Sequence, residues 1–234
     1  MGKVKKQTYM LHYTSLSRLM EILETGRLSL ANPIFWKDKN DAFSVAKSSS
    51  KAVGVICFSL TEEESNLFWE CYANDGIGVC IVFDKKSIEY LINRNPKYKM
   101  KEITYLHIDK DERKSILDQY NKAFRLKEIR DLAFVKRDAY SEEKEIRLAL
   151  FTERKTFTCG NVVDYLELGK PISSHIHKIL LSPFLEEKQR RDIKILLGNY
   201  LEKMNLNIKI CSSKIACDVR WRNAIRQLKR TCKK

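Results

Sequence analysis

Two glutamates separated by one residue are the strongest polar signal in this 234-residue chain. Glu143 and Glu145 stand just before the apolar residues 148–151, and the pattern predicts a strand over residues 145–151. Alternate residues of a strand share a face, so both carboxylates are expected on one side of it. Charged groups at such a position are unfavourable unless they line a cleft. Arg147 is then either a phosphate ligand or half of an inward ion pair that fixes the sheet.

A polar stretch over residues 32–50 is predicted to be irregular and is longer than packing requires. Long ordered loops of this kind are often functional. Asp38 and Asp41 lie in it and could face a site. The alternative is that they cap or terminate the loop, since aspartate readily forms such turns.

Two further candidates come from short predicted elements. His12 lies near the end of a strand over residues 8–13, where its ring can bind a ligand or satisfy a backbone carbonyl. Tyr72 shares a short helix with Trp69 and is either a stacking ring or part of the core. The residue types alone leave both choices open.

The elements that must position these side chains alternate between strands and helices. Thr14 or Ser15 is a suitable N-cap for a helix that Gly26 would end, because glycine adopts the left-handed C-cap conformation. Further strands are predicted over residues 27–30, 52–59, 77–83, 97–108, 145–151, 162–168, 177–181 and 207–211, and further helices over 66–73, 84–92, 111–137, 186–204 and 220–231. No repeat and no Pro/Gly/Ser linker interrupts them, so we predict one α+β domain over residues 1–234.

The composition of the chain indicates a basic protein with enough apolar residues for a folded core. Lys+Arg 44 and Asp+Glu 30 give a net charge of +14, and 44% hydrophobic residues suffice for a core. No apolar run reaches the ~20 residues of a membrane-spanning helix, and no signal-peptide pattern follows Met1, so a cytoplasmic location is expected. The seven cysteines form no C-x-x-C pair, and His175 and His177 alone are a weak metal signal; no metal site is predicted.

The positive charge is concentrated at the C-terminus. Residues 214–234 contain eight Lys or Arg and one acid, Asp218, which is half of the total excess. A helix over about 214–234 would present most of them along one side and favour contact with nucleic acid through phosphates. The residues predicted to make that contact are Arg220, Arg222, Arg226, Lys229 and Arg230.

Several short motifs occur in one order between residues 9 and 182. They are Leu11-His12-Tyr13-Thr14-Ser15, Asn32-Pro33 with Trp36, Asp38 and Asp41, Cys57-Phe58-Ser59, Trp69-x-x-Tyr72-Ala73, Gly78-x-Cys80-Ile81-x-Phe83-Asp84 and Glu143-Lys144-Glu145-Ile146-Arg147. In these motifs the chain resembles a large uncharacterised bacterial domain family, and its opening is similar to that of ADP-ribosyltransferase-type domains. The chain departs from the family pattern at Lys39, where proline is usual, and at Ile146, where an aromatic residue is usual.

The resemblance implies a mixed, split sheet flanked by helices and transfer of ADP-ribose from NAD as substrate. It implies that His12 contacts the ribose or adenosine and that Glu145, or Glu143, stabilises the cationic transition state. A stacking ring would come from Tyr72, Phe35 or Trp36. The residues expected to bind NAD are His12, Tyr13, Thr14, Asn32, Phe35, Trp36, Asp38, Asp41, Tyr72 and Arg147. The resemblance also suggests a toxin or phage-defence effector that modifies nucleic acid.

Two other classes of function stay open. The first is a nucleic-acid-binding module without activity, in which the cleft residues are structural. The second is a metal-dependent nuclease built from the acidic residues, although the E-K-E spacing fits that poorly. P-loop and Rossmann nucleotide sites lack their glycine motifs in this chain.

Overall fold

The computed structural model describes residues 9–49, 53–61, 63–73, 76–107, 129–152 and 160–215. The strands are β1 (Tyr9–Ser15), β2 (Arg27–Ala31), β3 (Val53–Ser59), β4 (Gly78–Asp84), β5 (Tyr98–Glu102), β6 (Thr104–Leu106), β7 (Val135–Arg137), β8 (Glu145–Phe151), β9 (Val162–Glu167), β10 (Ile176–Leu181) and β11 (Lys209–Ser212). The α-helices are α1 (Leu16–Thr25), α2 (Lys39–Lys47), α3 (Asn66–Tyr72), α4 (Lys85–Asn93) and α5 (Glu187–Lys203). Short 3₁₀ helices cover Pro33–Phe35, Ile129–Phe134, Asp138–Glu143 and Ile172–Ser174.

Nine of the strands form one sheet that divides at β3. Strand β8 pairs with β3 along its whole length, from Val53↔Phe151 to Ser59↔Glu145. Strands β1 and β2 therefore share the other edge of β3, with β1 paired at Ser59 and β2 at Val55. The predicted α+β class with a mixed, split sheet flanked by helices is confirmed. Strands β6 and β7 form a separate parallel pair.

The two faces of the sheet are covered differently. Apolar residues of α1, α4 and α5 pack on one face and form the main core. On the opposite face, α3 packs over β1 and β4, while α2 and the 3₁₀ helix Ile129–Phe134 pack over β3 and β8. These two smaller clusters flank the region in which the polar candidates of β8 lie.

The predicted ends of α1 are confirmed. The Ser15 hydroxyl accepts the backbone N–H of Arg18 at 3.4 Å, which is the N-cap contact. Gly26 adopts φ 70° and donates its N–H to the carbonyl of Ile22, which ends the helix. The amino acid types alone specify this helix because both caps use short local contacts.

Two sequence predictions were wrong about local structure. Residues 32–50 are not an irregular loop, because they contain the 3₁₀ helix Pro33–Phe35 and helix α2. Asp38 begins α2 by accepting the N–H groups of Asn40 and Asp41. Residues 129–137 are not the end of a long helix but a 3₁₀ helix followed by β7; residues 108–128 lie outside the described part.

Gly78 at the start of β4 is required by the close approach of α3. A Cβ built at Gly78 would lie 2.3 Å from the carbonyl oxygen of Ala73, the residue that follows α3. We therefore expect Gly78→Ala to lower the free energy of unfolding by about 1–3 kcal/mol, because the obstructing atom is backbone. Urea unfolding measures the change. Gly198→Ala is the control: its Cβ meets no atom within 4 Å, and alanine should stabilise α5 by up to about 1 kcal/mol.

Candidate active site

Pairing between β3 and β8 places Glu145 and Arg147 on one face of the sheet. Cys57 pairs with Arg147 and Ser59 with Glu145, so these four side chains lie on the face opposite the main core. Even-numbered residues of β8, such as Leu148, point into the main core instead. A short run of strand thus carries two charged residues that are inaccessible to solvent: Glu145 is 4% exposed and Arg147 is 0% exposed.

Arg147 uses all five of its N–H groups. Its Nη1 and Nη2 atoms donate to the two carboxylate oxygens of Asp41 at 2.9 and 2.8 Å. Its Nε and Nη2 atoms donate to Glu145 at 2.7 and 3.1 Å, and Nη1 also donates to the carbonyl of Ala133. The ring of Trp36 lies 5.1 Å from the guanidinium carbon. Arg147 is therefore an inward ion pair and has no N–H left for a phosphate.

Lys136 supplies the second buried cation. From β7 its Nζ atom donates to Glu143 at 2.7 Å and to Glu145 at 3.4 Å, and lies 3.6 Å from Asp41. Burial would lower the pKa of Lys136, but the three carboxylates outweigh burial and raise it. We name Asp41, Lys136, Glu143, Glu145 and Arg147 the charge cluster. Its three carboxylates and two cations leave one negative charge.

Glu143 and Glu145 occupy different positions in the charge cluster. Both carboxylates reach Lys136, as the prediction of a shared side requires. The physical reason differs from strand alternation, because Glu143 ends a 3₁₀ helix and Lys144, at φ 43°, turns the chain into β8. Glu145 is enclosed by Arg147 and Lys136. Burial tends to raise its pKa, but these cations prevail and lower the pKa of Glu145 to about 2.

Tyr72 connects the charge cluster to the surface. Its hydroxyl donates to Oε1 of Glu143 at 2.6 Å, while 50% of the residue is exposed. Burial of the hydroxyl and the neighbouring Glu143 raise the pKa of Tyr72, which keeps the hydroxyl protonated as a donor. The Tyr72–Glu143 pair is thus the accessible edge of the charge cluster. Tyr72 is a surface residue of α3, whereas Trp69 on the same helix is fully buried.

His12 does not join the charge cluster. Leu11 pairs with Ser59, and Ser59 pairs with Glu145, so Leu11 shares the face of Glu145 and His12 points to the opposite face. There its Nδ1–H donates to the carbonyl of Cys57 at 3.0 Å, and its ring lies beside Phe58. Burial lowers the pKa of His12, so the ring is neutral at pH 7. The resemblance implies that His12 and Glu145 both act on NAD, whereas this register places their side chains on opposite faces of the sheet.

The other residues predicted to bind NAD lie in separate parts of the fold. Tyr13 packs under α3 against Trp69, and Thr14 points to the same face as His12. Asn32 begins the 3₁₀ helix Pro33–Phe35 by accepting the N–H of Ile34. Phe35 is 52% exposed and offers a free ring at the surface.

Sequence reasoning missed Lys136 and Tyr105. The sequence predicts Lys136 within a long helix over residues 111–137, and a single lysine in such a helix does not indicate a buried site. Tyr105 accepts the backbone N–H of Glu145 at 2.9 Å, and burial raises the pKa of its hydroxyl to about 12. The run Val135-Lys136 after an apolar Phe134 was the available signal for a short strand.

Three further features bear on the remaining predictions. The basic residues Arg220, Arg222, Arg226, Lys229 and Arg230 lie outside the described residues, as does the predicted helix over them. Among the residues that the structure describes, no three His, Cys, Asp or Glu side chains are arranged to hold a metal ion. In the same part of the chain, no helix is long and apolar enough to cross a membrane.

A groove of about 610 Å³ lies between α4 and β5, away from the charge cluster. Lys85 and Glu102 line it and form an ion pair at 3.8 Å, and Ile146 closes its base from the main-core side of β8. Its walls carry neither Tyr72 nor Glu143. The groove therefore adds nothing to the chemistry of the charge cluster.

A segment at the base of α3 links this site to the last described strand. Glu64 accepts the indole N–H of Trp69 at 3.2 Å through one carboxylate oxygen and the backbone N–H of Lys214 at 2.8 Å through the other. Ile215 packs against the apolar cluster beneath α3. The end of the described chain is thereby fixed to the helix that carries Tyr72.

Comparison with known proteins gives one family and two related structures. Residues 68–148 match the family model described as "Protein of unknown function (DUF2971)". DarT from Thermus sp. 2.9 is similar in structure, both in complex with NAD+ (11% identity, 89% of this chain and 96% of that chain covered, TM-score 0.43) and in complex with carba-NAD+ (11% identity, 89% and 97% covered, TM-score 0.42). No curated protein matches the chain. The predicted resemblance to an uncharacterised family is thus confirmed over residues 68–148, which carry Tyr72 and every member of the charge cluster except Asp41.

Proposed function

We propose that the protein is an NAD-dependent ADP-ribosyltransferase-like enzyme that acts at the Tyr72–Glu143 edge. The observation that carries the proposal is the charge balance of the charge cluster, in which three carboxylates face two cations. In the reaction the bond between nicotinamide and ribose breaks, and nicotinamide leaves with the bonding electrons. The ribose becomes cationic in the transition state before an acceptor nucleophile bonds to it and loses a proton.

A fixed negative charge in a water-poor site stabilises such a cation more than water does, because the group is already oriented. Glu143 is the carboxylate that suits this role. Its side chain is 12% exposed against 5% for Glu145, and Tyr72 beside it reaches the surface. Glu145 already accepts from Arg147 with both oxygens, so we assign it to holding the cluster together.

Exposed aromatic rings among the predicted residues are candidate stacking partners for nicotinamide. Tyr72 presents half of its surface to solvent, and Phe35 slightly more. The ring of Trp36 is engaged over Arg147, which makes it a wall of the charge cluster and a weaker candidate for stacking. A stacked base is oriented at little entropic cost, which favours attack in the correct geometry.

The acceptor is proposed to be nucleic acid, on the strength of the basic residues within 214–234. A role as a toxin or phage-defence effector and a cytoplasmic location remain proposals that rest on the sequence motifs and composition. His12, on the other face of the sheet, has no part in this proposal.

The decisive experiment measures nicotinamide release from NAD and the affinity for NAD by calorimetry. We expect Glu143→Gln to lower the rate of release at least about 100-fold, because it removes the charge that faces the developing cation. Glu142→Gln, a neighbouring exposed position, is the matched control and should leave the rate unchanged. The proposal is overturned if the wild-type protein neither binds nor consumes NAD.

A second candidate function is nucleic-acid binding without catalysis, favoured by the excess of seven positive charges in residues 214–234. Charge reversal at Arg222, Arg226 and Lys229 would then abolish a salt-sensitive retardation of nucleic acid in gels. Glu143→Gln would leave that retardation unchanged. Under the first function, the same charge reversals reduce use of the acceptor and leave hydrolysis of NAD intact.

A further inference from the structure

Lys136 joins carboxylates from separate parts of the chain. It lies on β7, outside the nine-stranded sheet, yet its Nζ atom reaches carboxylates from three separate elements. Glu143 ends a 3₁₀ helix, Glu145 begins β8 and Asp41 lies in the first turn of α2. The lysine side chain is only 7% exposed, so these contacts are shielded from solvent.

The shortest of these contacts holds the residue proposed to act on the ligand. Glu143 accepts from Tyr72 with Oε1 and from Lys136 with Oε2, so each oxygen has one donor. Arg147 bonds Asp41 and Glu145 but makes no hydrogen bond or ion pair with Glu143 among the described residues. Lys136 therefore fixes the orientation of this carboxylate and is the cation paired with it.

We propose that Lys136 is a positioning residue that holds the Glu143 carboxylate as its ion-pair partner, with Oε1 directed to Tyr72 and the surface. The part of this proposal that concerns catalysis rests on the proposed function; the part that concerns Glu143 itself does not. Without Lys136, three buried carboxylates would face one cation, and a proton would bind among them at higher pH. The charged and titratable groups around Lys136 and Glu143, taken over all packed elements, are Asp41, Cys57, Tyr72, Tyr105, Tyr140, Glu145 and Arg147.

The test uses Lys136→Met, which keeps most of the length of the side chain and removes its charge. Protein labelled at the glutamate carboxyl carbons reports titration by NMR, and Glu143→Gln identifies the resonance of Glu143. We expect Lys136→Met to raise the pH midpoint of that resonance by about one unit or more. Arg137→Met removes a neighbouring charge that bonds Tyr140 and not Glu143, and should leave the midpoint in place. An unchanged midpoint in Lys136→Met overturns the proposal.

A double variant covers the case in which Lys136→Met folds poorly. If Lys136 acts through Glu143, the variant Lys136→Met/Glu143→Gln is less destabilised than Lys136→Met alone, because the unpaired charge is gone. Urea midpoints of the four forms measure this. Equal loss of stability in both variants, or failure of both to fold, overturns the proposal.

Measurements of NAD consumption distinguish a failure of this proposal from a failure of the proposed function. If the wild-type protein consumes NAD, Lys136→Met should lower kcat more than it changes KM and should shift the acidic limb of the pH profile upward. If the wild-type protein does not consume NAD, the proposed function fails, while the NMR titration and the urea midpoints still decide the role of Lys136.

Discussion

Replacing Arg147 by methionine is expected to lower the free energy of unfolding by about 3–5 kcal/mol. The guanidinium has no exposure to solvent and bonds Asp41 and Glu145 with four hydrogen bonds. Methionine fills much of the same volume but leaves both carboxylates buried without that partner. Lys136 alone cannot neutralise the charge cluster, because it already faces three carboxylates.

Urea unfolding at pH 7 measures the effect of Arg147→Met. Arg137→Met is the matched control, since Arg137 is 45% exposed and its nearest acid, Asp38, is 3.9 Å away. An exposed pair of this kind contributes about 0–1 kcal/mol. The interpretation of Arg147 as the central partner of the carboxylates fails if the two variants lose equal stability.

Acid is expected to weaken the fold through Glu145. Its pKa in the folded protein is lowered from 4.5 to about 2, so the folded state favours the ionised form. The resulting stabilisation is complete above the unfolded pKa near 4.5 and is lost as the pH falls toward 2. A difference of this size corresponds to about 3 kcal/mol.

The comparison of wild-type protein with Glu145→Gln isolates this contribution, because every other titrating group is common to both. We expect the wild-type protein to be more stable than Glu145→Gln at pH 7 and the difference to shrink steadily between pH 5 and pH 2. Urea or thermal unfolding at several pH values measures it. A difference that stays constant over this range would show that Glu145 is not the group responsible.

Local signals account for the parts of the fold that could be predicted. Helix α1 has a serine cap, an apolar stripe and a C-terminal glycine within twelve residues. Strands β3 and β4 are nearly continuous apolar runs and β8 is apolar from Leu148 onward, as expected for strands covered on both faces. The sequence left two interpretations of Arg147, a phosphate ligand and an inward ion pair. The ion pair could be anticipated because a charge inside a buried strand requires a partner.

Long-range register accounts for what could not be predicted. Whether His12 faces Glu145 depends on which residue of β1 lies opposite Ser59, and a shift of one residue would reverse the answer. Lys136 enters the charge cluster from β7, which pairs with β6, and β6 is joined to the start of β8 by the bond between Tyr105 and Glu145. The spacing of Ile129, Leu132 and Phe134 is compatible with a helix, and only tertiary contacts decide against it.

If the basic residues after position 215 bind the proposed nucleic-acid acceptor, the bond between Glu64 and Lys214 limits the distance of that acceptor from the Tyr72–Glu143 edge. Arg220 follows Ile215 by five residues, and a chain of that length spans at most about 18 Å. A polyanion held by Arg220 would thus be tethered to the base of α3, where Glu64 also bonds Trp69, three residues before Tyr72 along that helix. Its groups near the Tyr72–Glu143 edge would have a high effective concentration, so weak recognition of the acceptor at the edge itself would suffice for transfer.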